Sequence, residues 1–249
     1  MISLQDKYTK HALVTCYRAD RRDLLRPDAF LDLAQQIAVE GADVLHFGDD
    51  QLKQRGCVWV LARQHVQFEH PMHYRERGRL VTWHRGIQGL FFVRDYLLLD
   101  GNGDVAVRST SSWVVMNFTE RRAVRTDFLS EIVSTEAQST DAAIEELAPK
   151  VNYPRNLSLE KIGSHVVRYS DTDRNQHANN VKYTVWAMDA LPAELTGEHN
   201  LKELSINFNK EARPGETVDL YHLQEEDGAH LIEGRVGDNQ VFIERLRFD

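Results

Sequence analysis

Cysteine is nearly absent from this chain, with two residues, Cys16 and Cys57, in 249. Two cysteines are too few for a disulfide framework. Long apolar runs are missing as well, and none approaches the roughly 18 residues that suggest a membrane span. The opening MISLQDKYTKHALVTCY carries charges where a signal peptide needs an unbroken apolar segment. There is no excess of positive charge: 30 Lys and Arg stand against 38 Asp and Glu, a net −8. General nucleic-acid binding needs a cationic surface to displace counterions, so that class is disfavoured. A local basic patch for an acidic partner remains compatible. The expectation is a cytoplasmic protein with neither membrane nor nucleic-acid partner.

What is present is ordinary globular material, 42% hydrophobic and 27% charged, enough for a substantial core. The length allows one large domain or two of common size. The segment HALVTCYRADRRDLLRPDAFLDLAQQIAVEGADVLHFG reads as strand, polar loop and helix. Within it Phe30, Leu33, Ala34, Ile37, Ala38, Gly41, Ala42 and Leu45 keep helical spacing. Pro27 suits a first turn, where a missing N–H costs little. The small residues of that stripe let the helix axis approach whatever covers it, expected to be a sheet. CVWVLARQHVQF, RLVTWHRG, LFFVRDYLLLD and DVAVRSTSSWVVMN then read as strands, the last two joined by a DGNGD turn at 100–104.

The second half repeats the order. GSHVVRYSDTDRNQHANN is strand then polar loop, and NNVKYTVWAMDAL is a helix stopped by Pro192. LKELSINFNKE, ETVDLYHLQ, HLIEGRV and QVFIERLRF follow as strands. Tyr17 answers to Tyr169, and HVQFEHP (65–71) to SINFNKE (205–211). Between the copies lies a mixed polar stretch read as a crossover, partly helical. The expected class is α+β, a tandem (double) hotdog in which each half wraps an antiparallel sheet around a long central helix. The halves are drawn as 1–118, a linker at 119–160, and 161–249. Fused copies can diverge until one site remains where two had been. Association of two such chains as a homodimer is left open.

The stretch SDTDRNQHANNVKYTVWAMD (170–189) concentrates short polar side chains at the mouth of the second helix. Asn179 or Asn180 sits at a natural N-cap position, which explains one asparagine. It does not explain Asp173, Asn175 and His177, and the matching first-copy loop RADRRDLLRP has neither asparagine nor histidine. A helix N-terminus offers free N–H groups and the positive end of the dipole, suited to a carbonyl oxygen gaining negative charge. Glu211, in NFNKEARPGE, ends a strand where the first copy has Pro71. No serine lies in a GxSxG-like elbow, so an activated water fits better than a covalent intermediate. Asp171, Asp173 and His177 have metal-ligand chemistry but no zinc-like spacing, and no metal or cofactor is expected. His65, His70 and His73 are read as ordinary surface or pocket histidines.

At these residues the chain resembles the acyl-acyl carrier protein thioesterases of plants and bacteria, a family of tandem hotdogs. DTDRNQHANNVKYTVW (171–186) resembles that family's catalytic loop and helix, and WVLARQHV (59–66) and STSSWVVMN (109–117) resemble two signatures of its N-terminal half. The resemblance covers most of the chain and is weakest in the crossover. It implies Asp173, Asn175, His177 and Glu211 as catalytic residues. Where many plant members carry a cysteine after the glutamate, this chain has Ala212, which removes a thiol mechanism. Asn179, Asn180, Trp186 and Trp59 are the candidate substrate contacts. The implied reaction is hydrolysis of a fatty acyl thioester on acyl carrier protein, with the acyl chain lodged largely in the N-terminal half. Glu211 is the expected base, with Asp173 the competing carboxylate. Arg75, Arg77 and Arg79, or Lys182, Lys210 and Arg213, are candidates for meeting the acidic carrier. An acyl-CoA thioesterase, a hotdog dehydratase and a non-catalytic acyl-carrier binding module are the rivals.

Overall fold

The computed structural model of the chain describes residues 4, 7–124, 138–154 and 157–249. Strand β1 (Tyr8–Leu13) leads into helix α1 (Pro27–Val44) and a short α2 (Asp49–Lys53). Four long strands follow, β2 (Cys57–Phe68), β3 (Arg77–Gln88), β4 (Phe91–Leu99) and β5 (Val105–Asn117), with a two-residue β6 (Arg122–Ala123) against β5. The second half runs β7 (Glu160–Val166), a 3-10 turn at Tyr169–Asp171, α3 (Asn180–Ala190) and α4 (Ala193–Glu198). Strands β8 (Leu201–Phe208), β9 (Thr217–Gln224), β10 (His230–Val236) and β11 (Asn239–Phe248) complete it. Helix α4, directly after Pro192, is not anticipated from the pattern.

Pro27 opens α1 as expected, and Ala29, Phe30, Ala34, Ile37, Ala38, Gly41 and Ala42 form its buried stripe. The DGNGD turn is held by Asp100, whose Oδ1 accepts from the N–H groups of Asn102 and Asp104, each at 2.9 Å. Such carboxylate-to-backbone bonds are what make Asp a turn residue.

The strands form one continuous antiparallel sheet in the order β1-β3-β4-β5-β2-β8-β11-β10-β9-β7. Matching each strand to its repeat makes this order read alike from both ends. The halves join where β2 pairs with β8, from Arg63 opposite Asn207 to Gln67 opposite Glu203. His65 and Ser205, equivalent positions of the two copies, are direct partners in that register, so the pseudo-two-fold axis passes through this pair. His65 is therefore not a surface histidine. It is buried at the seam, with Nδ1 2.8 Å from Ser205 Oγ. The arrangement is a double hotdog with both helices on the concave side of a shared sheet.

The two helices are covered unequally. Beneath α3, Tyr183 stacks on Phe242 with ring centroids 5.0 Å apart, and Trp186 meets Tyr183 edge-on at 5.3 Å. Large aromatic rings fill that half to interior density. Along α1, Phe30 meets Phe68 edge-on at 6.2 Å, and a cavity opens beside Ala38 and Ala42.

The described part of the crossover is a strap across the outer face of the sheet. Residues 138–154 contain no helix, and 125–137 lie outside the described residues. Ala143 N donates to Asp95 Oδ2 at 2.8 Å, and Arg85 donates to the carbonyls of Ile144 and Glu145 at 2.7 and 2.6 Å. Asn207 and Val151 exchange two hydrogen bonds. Burial under the strap pushes the Asp95 carboxyl up to about 6.

Candidate active site

The polar loop closes on itself before α3 begins. Thr172 bridges to Ala178, Asp173 N donates to the His177 carbonyl at 3.1 Å, and Gln176 N donates to the Asp173 carbonyl at 3.0 Å. Gln176 takes a left-handed φ of 66°, which turns the chain tightly enough to place Asn175 at the tip. Asp171, below the loop, is structural: its Oδ2 accepts from His165 Nε2 and from Arg168 N, both at 2.8 Å. Burial would raise this carboxyl, yet the hydrogen bonds from His165 and Arg168 outweigh it and hold the group below its ordinary value.

Asp173 is the hub. Its Oδ1 accepts from Asn175 N at 2.8 Å, and its Oδ2 accepts from Asn179 Nδ2 at 3.2 Å. Asn179 is the N-cap of α3, accepting from Val181 N at 3.0 Å through its Oδ1. His177 has Nδ1 3.1 Å from the Ala178 carbonyl oxygen, so Nδ1–H donates there and Nε2 is left for the cavity. Glu211 follows β8 on a tether fixed from both sides. Tyr183 Oη donates to the Lys210 carbonyl at 3.2 Å and accepts from Ala212 N at 3.1 Å, so α3 brackets the glutamate. Burial pushes that phenol up to about 12, so it stays protonated and able to donate. The Glu211 carboxylate itself is exposed, 3.5 Å from Arg121 Nη2 and 3.9 Å from Arg213 Nη2.

One cavity of about 1230 Å³ unites these groups. Asp173, Asn175, His177, Asn180 and Glu211 lie along it, and so does Trp59. Its apolar wall comes mainly from the N-terminal half, including Ala38, Ala42, Phe47, Phe92 and Trp113. No serine, threonine or cysteine is part of the wall among the described residues. Two of the expected substrate contacts are not part of it either. Trp186 is 3% exposed, stacked on His165 at 4.5 Å, because its place in α3 turns it into the packed half. Asn179 is spent on the cap and on Asp173.

Sequence reading also passed over Arg121, which reaches Glu211 from the crossover, and Arg174, whose ion pair with Asp49 ties the loop before α3 to α2. Lys210 and Arg213 line the cavity as expected of cationic candidates, joined by Lys53, Arg121 and Arg174; Lys182 and the Arg75–Arg79 group do not.

Fold and site together define a double-hotdog protein in which, among the described residues, a polar centre is set against a largely apolar cavity. Comparison with known proteins gives the family. The acyl-ACP thioesterase N-terminal domain matches residues 5–134 and the acyl-ACP thioesterase C-terminal domain matches residues 156–244, and the chain belongs to the acyl-ACP thioesterase family. The oleoyl-acyl carrier protein thioesterase of Coriandrum sativum is 24% identical over 93% of this chain and 66% of the relative. The Arabidopsis thaliana oleoyl-acyl carrier protein thioesterase 2 is 26% identical over 85% and 61%. The chain thus spans about two thirds or less of the length of these curated relatives. Among solved structures, the 12:0-ACP thioesterase from Umbellularia californica superposes with a TM-score of 0.88 at 19% identity, covering 100% of this chain and 98% of that one. An acyl-ACP thioesterase from Bacteroides thetaiotaomicron gives 0.83 at 18% identity, covering 100% of both. Those two likenesses establish the fold.

Proposed function

We propose that the chain hydrolyses fatty acyl thioesters carried on acyl carrier protein, releasing the free fatty acid and the carrier thiol. The observation that carries this reading is the single cavity whose polar end holds Asp173, Asn175, His177 and Glu211 and whose remaining wall is largely apolar. The family and the names of the plant relatives support the choice of carrier.

The acyl chain lies along the apolar wall, and the thioester carbonyl reaches the N-terminus of α3. Glu211 takes a proton from a water as the water oxygen adds to the carbonyl carbon. The oxyanion that forms meets the Asn175 amide and the positive end of α3. Donors of this kind are typically worth ~3 to 4 kcal/mol each. When the carbon–sulfur bond breaks, Glu211 returns the proton to the departing thiolate, and His177 lines the cavity beside the same loop. Asp173 does not need to move a proton: its two oxygens hold Asn175 and the α3 cap in place. Glu211, held only by arginines at the rim, is the carboxylate left free to act as base.

Hydrolysis of a panel of acyl-carrier thioesters by wild type and Glu211→Gln, with carrier binding measured in parallel, tests this. A loss of about 100-fold or more in kcat with binding intact is the expected result. Near-normal turnover by the variant gives the base role to Asp173 or His177. Binding without turnover by wild type on every chain makes the protein a carrier-binding module, and faster turnover of matched acyl-CoA thioesters replaces the carrier with CoA.

A further inference from the structure

Among the polar side chains of the cavity wall that hydrolysis does not use, two are buried. His84 on β3 and Arg94 on β4 are direct cross-strand partners, and both line the cavity that holds Glu211 and the catalytic loop. They are 2% and 5% exposed. Among the described residues Arg94 has no ion-pair partner, and its guanidinium makes one side-chain hydrogen bond, from Nη1 to Thr82 Oγ1 at 3.3 Å. The helix above makes room for it, since a Cβ on Gly41 of α1 would lie 2.9 Å from Arg94 Nη1. A buried guanidinium without a carboxylate is costly to the fold, and most of its N–H donors are unassigned.

His84 supplies the complementary half. Its Nε2 is buried with no hydrogen-bond partner. Burial first, and the Arg94 charge second, depress the imidazole to about 4, so the ring is neutral. The Val93 backbone engages the ring's other nitrogen, which leaves a lone pair on Nε2. The rings of Phe47 and Phe92, with centroids 5.5 and 6.1 Å from that of His84, keep the surroundings apolar. Donors on β4 and an acceptor lying just under the cavity surface on β3 are thus paired across neighbouring strands, beside the rings of Phe47 and Phe92. Methylene groups satisfy neither. A carboxylate satisfies Arg94 but sets its charge against the histidine lone pair. A hydroxyl accepts from Arg94 and donates to His84.

The geometry points to a hydroxyl-binding subsite in the acyl cavity, formed by Arg94 and His84, which makes hydroxylated acyl chains the preferred substrate class. The inference rests on the acyl-thioester reading for what enters the cavity, while the subsite itself is tested by binding alone. Calorimetric titration of the intact chain with free fatty acids of one length, unsubstituted, hydroxylated at successive carbons, or carrying an oxo group there, supplies the measurement. At least one hydroxylated isomer is expected to bind about tenfold tighter than the unsubstituted chain, the size of one or two well-placed hydrogen bonds. Arg94→Met and His84→Phe should each bring that isomer to the affinity of the unsubstituted chain on the same variant. His84→Phe keeps a ring of similar size, so it serves if Arg94→Met fails to fold. Equal affinity for all positions, or a preference that survives both substitutions, overturns the subsite. Tighter binding of the oxo chain overturns the paired donor and acceptor, and failure of every chain to bind overturns the inference with its premise. Hydroxyl preference without turnover by wild type removes the hydrolysis reading and leaves the subsite. Turnover without that preference does the reverse.

Discussion

Asn179 Nδ2 donates to Asp173 Oδ2 across 3.2 Å, while Oδ1 of the same side chain caps α3 at Val181 N. One amide thus starts the helix and holds the carboxylate that organises the loop before it. The two roles can be separated by substitution. Aspartate caps a helix about as well as asparagine, whereas alanine does not and costs ~1 kcal/mol. Asn179→Asp should keep the melting temperature but set a second carboxylate against Asp173, lowering kcat by about tenfold or more. Asn179→Ala should lower both. Equal activity of Asn179→Asp and wild type would show that the amide bond to Asp173 has no part in catalysis.

Tyr183 links the helix to the segment that carries Glu211, the proposed base, by bridging the Lys210 carbonyl and the Ala212 N–H. Removing its hydroxyl leaves a buried N–H without a partner, at a cost of ~1 to 3 kcal/mol. Tyr183→Phe should therefore be less stable in denaturant titrations, and slower because Glu211 loses its bracket. If the slowing acts through Glu211, the same change made in Glu211→Gln should reduce kcat no further. Additive losses would assign Tyr183 a role independent of the glutamate.

Much of this architecture is legible in local pattern, because helix spacing, the proline of α1, the DGNGD turn and the loop before α3 act within a few residues of themselves. The duplicated order of elements conveys the double hotdog, and the unequal polar residues of its copies mark the loop before α3 as the candidate site. What stays hidden depends on residues far apart in the chain. Arg121 meets Glu211 across 90 positions and Arg174 meets Asp49 across 125, and no period announces either. Trp186 is expected among the substrate contacts. Its direction is decided by the packing of α3 against β7, where the indole stacks on His165. Residues 138–154 of the crossover have no hydrophobic period because the sheet, and not a helix of their own, holds them by hydrogen bonds.

Stability should depend on pH through Glu244. This residue on β11 is fully buried beneath α3, accepts from Thr184 Oγ1 at 2.8 Å, and has a second oxygen with no partner. Burial raises it from an ordinary 4.5 to about 8. Between those values the folded chain binds the proton that the unfolded chain has released, so stability falls as pH rises through that window and the penalty is complete above it. Asp95 adds the same sign of effect, from 3.8 to about 6. Glu244→Gln keeps the acceptor for Thr184 and removes the charge. It should match wild type near pH 4 and exceed it by a few kcal/mol near pH 9. Urea midpoints across that range check this, and parallel curves for the two proteins would show that Glu244 ionises without cost to the fold.

The rim of the cavity predicts how salt affects the substrate. Lys53, Arg121, Arg174, Lys210 and Arg213 stand there against Asp49, Asp173 and Glu211, a local positive excess on a chain of net −8. An acidic carrier approaching the acyl entrance is attracted by that rim while the rest of the surface repels it. Exposed charges are screened over ~8 Å at physiological ionic strength and over ~3 Å at 1 M. KM for the acyl-carrier thioester should then rise several-fold from low to high salt, with kcat changed much less, because salt weakens the encounter with the carrier and not the bond-making step. Lys53→Glu, which lies on the rim away from Glu211's arginines, should raise KM and flatten its salt dependence. A small neutral thioester of the same acyl chain serves as the control, since it has no charge to steer. If its KM responds to salt as strongly as that of the carrier substrate, the effect belongs to the cavity and the basic rim plays no part in recognition.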